Sequence, residues 1–96
     1  MFAVVVSLTL KPNQKDSFMP LMLTNARDSL SKEEGCRQFD VATDPAAPDE
    51  VLLYELYESA AAFDQHLAST HFRTFDTATA DMIVNKSVKT FSEVSQ

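Results

Sequence analysis

The sequence is poor in the residues that build special-purpose sites. It has one cysteine, Cys36, and one glycine, Gly35, in 96 residues. A single cysteine forms no internal disulfide, which fits a reducing compartment. Cys36 stands at a helix-to-strand junction with no histidine close in sequence, so it reads as packing and not as a reactive thiol. One glycine cannot build a loop that cradles a phosphate. Basic residues are also few: 8 Lys and Arg against 14 Asp and Glu give a net charge of −6. That balance argues against nucleic acid or an anionic membrane as a partner. The acids form no run and describe a solvated surface. No apolar run is long enough to span a bilayer, and the N-terminus lacks a signal peptide's basic n-region and cleavage site. The expected address is the cytoplasm. No metal motif stands out either: His66 and His71 are five apart across a helix break, so neither a metal nor another cofactor is expected.

What is present is an ordinary globular composition, 45% apolar, in a chain that fits one domain over residues 1–96. A chain this short buries only about two thirds of its unfolded surface, so a partner would help it. Phe2 to Leu10, FAVVVSLTL, is rich in β-branched residues and apolar on both faces, which predicts a central strand. Lys11 to Gln14 is a turn. A helix follows, from Gln14 or Ser17 to Glu34, with Pro20 either in its first turn after a Ser17 cap or kinking a helix begun near Asn13. Its inward stripe is Phe18, Met22, Asn25 and Ser29. Gly35 stands where a helix end calls for positive φ. Cys36 to Thr43 is a more polar, edge-type strand, and Asp44 to Asp49 turns the chain into a third strand. A last helix, from about Thr70, buries Phe72, Phe75, Thr79 and Met82, and Ile83 to Val94 forms a last strand.

The stretch from Val51 to Phe72 organises the rest. Val51 to Tyr57 is apolar at six of seven positions, and Glu55 is the exception. A carboxylate there is costly unless paired, hydrogen-bonded or wet, so Glu55 is either a structural ion-pair partner or a functional group. Ser59 is a good N-cap for the helix opening Ala60-Ala61-Ala62. His66 lies inward beside Phe63 and Leu67, either as a satisfied core histidine or as a general base. Glu55 on the neighbouring strand would orient it or accept a proton itself. Tyr54 and Tyr57 point to opposite faces, and one of them is free to offer a phenol to a pocket. Asn25 either bonds a neighbouring strand or loop, or points into a cavity. His71 reads as a helix-start residue.

The order is βαββ, helix, break, helix, β. It predicts a ferredoxin-like α+β fold, βαββαβ, with a four-stranded antiparallel sheet and its helices on one face. Strands one and three are apolar on both faces, and the helices cover only one. A second copy packed sheet to sheet is the simplest cover, so a homodimer is expected.

Tyr57-Glu58-Ser59, the Ala-rich helix start, and His66-Leu67 with Ser69 and His71-Phe72 resemble the antibiotic biosynthesis monooxygenase family, whose members are dimeric α+β barrels. Asn25 to Ser29, Glu33 to Cys36 and Phe39 to Val41 are similar to its quinol monooxygenase and autoinducer-2-degrading isomerase branch. The resemblance tips Asn25 toward a cavity. It implies a cofactor-free monooxygenase with a small-molecule substrate and dioxygen. In that scheme His66 is the base, Asn25 and Tyr57 orient the substrate, and Glu55 supports the base. Phe18, Met22, Ser29, His71 and Phe72 would form the pocket. The haem-degrading branch needs a tryptophan, and this chain has none. Two alternatives stand beside it. An isomerase of a small phosphorylated dione would need Arg27, Lys32, Arg37 or Arg73 near the phosphate. A ligand-binding or stress-response dimer would turn nothing over.

Overall fold

The two strands that are apolar on both faces lie side by side in the middle of the sheet. The computed structural model describes residues 1–96 and runs β1 (Phe2–Leu10), α1 (Lys15–Lys32), β2 (Cys36–Asp44), β3 (Ala47–Tyr57), α2 (Ala60–Ala68), α3 (Thr70–Thr79), a single 3-10 turn (Ala80–Met82) and β4 (Ile83–Phe91). The four strands form one antiparallel sheet in the order β2-β3-β1-β4. The expected ferredoxin-like α+β architecture is present, with β1 and β3 central and β2 at an edge.

Strand period decides what the sheet buries. Phe2, Val4, Val6 and Leu8 of β1 align with Tyr57, Glu55, Leu53 and Val51 of β3 on the side covered by helices, where Leu10 is also buried. Helix α1 presses Phe18, Met22 and Ala26 onto this side, and all three are buried. The opposite side carries Val5, Leu52, Tyr54, Leu56 and, from β4, Phe91, together with Ser7, Thr9, Asp40 and Lys89. It is therefore mixed and not uniformly apolar. Leu52 and Phe91 are 42% and 50% exposed there, whereas Ala3 and Leu56 are buried within the single chain.

Three local expectations change. Helix α1 begins at Lys15, not at a Ser17 cap, and runs through Pro20. The missing proline N–H falls in the second turn, where it leaves one carbonyl without its usual donor. Asn13, at φ 66°, makes the left-handed step into the helix that asparagine tolerates. The β2–β3 turn is tighter than Asp44 to Asp49: Asp44 pairs with Ala47, and the Asp44 carboxylate accepts the Ala46 N–H at 3.0 Å. Gly35 does not adopt positive φ. Its reason is space, because a Cβ there would come 2.5 Å from the Cβ of Ala62. The α1–β2 turn is thus seated directly on the first turn of α2, and the Gly35 carbonyl accepts the Glu58 N–H at 2.8 Å.

Helices α2 and α3 share one joint. Ser59 caps α2 by accepting the Ala62 N–H, as its sequence position predicts, and Ser69 caps α3 by accepting the Phe72 N–H. The Ser69 hydroxyl also donates to the His66 carbonyl at 2.6 Å. This bend brings His66, the last buried residue of α2, within reach of His71 in the first turn of α3.

Candidate functional site

The alternation that makes β3 a strand forces Glu55 inward. Its neighbours across the sheet are Val4 on β1 and Phe39 on β2, and it is only 3% exposed. Tyr57, two residues on, shares that face and donates its hydroxyl to Glu55 Oε1 at 2.5 Å. Burial pushes the Glu55 carboxyl up to about 7; the Tyr57 bond and the charge of Lys86 offset part of that rise. Burial, and then the Glu55 charge, push the Tyr57 phenol well above its ordinary value.

His66 comes from the opposite wall. It is 2% exposed and packed among Phe39, Tyr57, Phe63 and Phe72, with ring centroids 5.0 to 6.2 Å away. Burial lowers its pKa against the opposing pull of Glu33, so the ring is neutral at pH 7. Its Nδ1 lies 2.8 Å from Glu33 Oε2 and 3.4 Å from Ser29 Oγ. The same Glu33 oxygen lies 2.5 Å from His71 Nε2. Glu55 makes no bond to His66. Glu55 bonds Tyr57, and the carboxylate within hydrogen-bond reach of the imidazole is that of Glu33.

Asn25, Glu55 and His66 converge on one cavity of about 60 Å³ between the sheet and the helices. Met22, Phe39, Phe72 and Phe75 are among its eleven apolar lining residues, and Leu67, Asp76, Lys86 and Val88 are its exposed ones. The side-chain oxygen of Asn25 is buried without a partner. An unmatched buried acceptor beside a cavity is poised for a donor from a ligand. Of the other expected pocket residues, Met22 and Phe72 line the cavity, while Phe18, Ser29 and Tyr57 lie behind its wall. His71 lines a separate groove of about 510 Å³ between α1 and α3, where Lys32 also lies. Arg27, Arg37 and Arg73 do not line the cavity; Arg37 pairs with Glu58 at the surface, and Lys86 is the one basic residue in the wall.

Glu33 and Phe39 stand in the sequence only as parts of motifs, and nothing there marks Lys86. Asn25, Ser29 and Glu33 repeat every four residues, so they fall on one side of α1 and its C-terminal cap, a signal that could have placed Glu33. Glu33, His66 and His71 also place three donor atoms within 4.8 Å of one another, which spacing in sequence did not suggest.

The sequence model described as antibiotic biosynthesis monooxygenase matches residues 1–78. The chain belongs to that family. Among solved structures, a Nitrosomonas europaea protein described as a candidate antibiotic biosynthesis monooxygenase superposes with a TM-score of 0.92 at 21% identity, covering 99% of this chain and 100% of that one. Rv0793 from Mycobacterium tuberculosis gives 0.89 at 21%, covering 99% and 96%. A conserved protein from Methanosarcina mazei gives 0.88 at 23%, covering 97% and 92%. At such identities these likenesses establish the fold. Among curated proteins none matches. No helix of this family member is long and apolar enough to cross a membrane.

Proposed function

We propose that the protein is a monooxygenase that acts on a quinol or polyphenol-type small molecule, with dioxygen as co-substrate and no bound cofactor. The convergence of Asn25, Glu55 and His66 on one apolar cavity carries this reading. His66, neutral at pH 7, accepts the phenolic proton of the substrate. The resulting anion is electron-rich enough to reduce dioxygen itself, so no metal or flavin is required. One oxygen atom enters the ring to give the quinone, and the other leaves as water with the hydrogens lost from substrate. Asn25 and Glu55 supply polar contacts in the wall, and Tyr57 holds Glu55 from behind it.

The cavity is smaller than the roughly 150 Å³ that holds a benzene ring in a well-studied engineered cavity, so substrate entry requires the wall to move. We place that movement beside Lys86 and Val88, the exposed β4 residues of the lining. A homodimer through the mixed sheet face, burying Leu52, Tyr54 and Phe91, belongs to the same proposal. The isomerase alternative stands beside this reading: Arg27, Lys32, Arg37 and Arg73 do not line the cavity, but Lys86 does.

The test is oxygen uptake with a panel of quinols and polyphenols. Stoichiometric consumption that falls by about 10² or more in His66→Ala fits the reading. Turnover that persists without oxygen, or on a phosphorylated dione, sinks it.

A further inference from the structure

We propose that Glu33 is the positioning residue for His66, holding the imidazole as the Nδ1–H tautomer so that Nε2 is the nitrogen left to act. Calling Nε2 a base rests on the proposed function; the tautomer does not.

An ionised carboxylate only accepts hydrogen bonds. Glu33 Oε2 touches His66 Nδ1 at 2.8 Å and His71 Nε2 at 2.5 Å, so both ring nitrogens must carry hydrogen. The second neighbour of His66 Nδ1 is Ser29 Oγ at 3.4 Å, and that hydroxyl has already given its one proton to the Asn25 carbonyl at 2.8 Å. Every group facing Nδ1 is therefore an acceptor. The chain offers no hydrogen bond to Nε2, and His66 forms part of the cavity wall. A neutral imidazole with hydrogen on Nδ1 has its lone pair on Nε2.

The same three residues bring three potential ligand atoms within 4.8 Å of one another, so a divalent metal is the competing occupant that the experiment must include.

Glu33 is also well placed to hold position. Its N–H donates to the Ser29 carbonyl at 3.2 Å, its carbonyl accepts from Cys36 at 3.2 Å, and the turn after it is seated on Ala62.

The experiment is a long-range proton–nitrogen spectrum of the full, nitrogen-labelled chain at pH 7.5. His66 should show a protonated Nδ1 and a bare Nε2. Glu33→Gln should convert it to a mixture of tautomers, and Glu33→Asp should retain most of the native form. His71→Ala should leave the His66 tautomer alone. With an oxidisable quinol, Glu33→Gln should lower kcat on the order of 10²-fold with little change in KM. A wild-type His66 protonated on Nε2, or a tautomer unmoved by Glu33→Gln, overturns the proposal. So does a one-equivalent Zn²⁺ titration that saturably shifts both rings, which would make the cluster a metal centre. If the tautomer behaves as stated and no quinol is oxidised, the oxygenase reading fails and the role of Glu33 survives.

Discussion

Replacing Glu55 with glutamine should change how stability depends on pH. A buried carboxyl that ionises near pH 7 in the folded chain ionises near 4.5 when unfolded. Below 4.5 both states are protonated and burial carries no ionic penalty. Between 4.5 and 7 the unfolded chain loses its proton while the folded chain keeps one, so stability falls as pH rises. Above 7 both are ionised and the full penalty is present. One pH unit is worth about 1.4 kcal/mol, so a rise of some 2.5 units amounts to roughly 3 kcal/mol in all. Part of that window is unusable, because the sequence pI of about 4.6 favours precipitation. Between pH 5.5 and 8 the wild type should lose about 2 kcal/mol through this group alone.

Glu55→Gln keeps the shape and an oxygen for the Tyr57 hydroxyl, but cannot ionise. The measurement is urea unfolding followed by circular dichroism, at fixed protein concentration, for both chains across pH 5.5 to 8. The other titrating groups are common to both, so the difference between the two curves isolates Glu55. The variant should gain about 2 kcal/mol relative to wild type over this range. Parallel curves would mean that Glu55 does not titrate there, and the account of its burial would be wrong.

Two further outcomes follow from neighbouring contacts. Burial, with the charges of Glu33 and Glu55, pushes the Cys36 thiol up to about 11. At pH 7.5 iodoacetamide should label the native chain on the order of 10²-fold more slowly than the urea-unfolded one, and fast native labelling would refute it. Gly35→Ala should destabilise by about 1–3 kcal/mol, because two methyl carbons cannot rest 2.5 Å apart. Adding Ala62→Gly should recover part of that loss in a double-mutant cycle of urea midpoints; strict additivity would show that the contact is not the cause.

The fold was legible because its signals are local. Two-sided apolar strands announced the centre of the sheet, and Ser59 announced a helix start. Gly35 shows where local reading stops. Its position was marked by sequence, yet the reason lies in Ala62, a contact that no helix-end rule contains. The site divides the same way. Glu55 was conspicuous as the one charge in an apolar strand, and its true partner, Tyr57, is two residues away. Glu33 was quoted only as part of a motif, because its partners are 33 and 38 residues distant. An acidic residue at a helix end looks like solvated surface until the fold closes two histidines over it.

This exchange of roles between the two carboxylates has a physical logic. Glu55 meets one donor, a phenol, beneath a packed helix layer, and its carboxyl responds by holding a proton. Glu33 meets two ring N–H groups at a turn pinned by its own backbone bonds. A carboxylate with two donors can fix a ring, whereas one sharing a proton with solvent pH cannot do so steadily. His66 therefore comes from α2 and Glu33 from the cap residue that ends α1, and Gly35, two residues after Glu33, is seated on Ala62, four residues before His66. Loosening that approach should move Glu33 away from His66 before it disturbs Glu55, so the two carboxylates should fail separately.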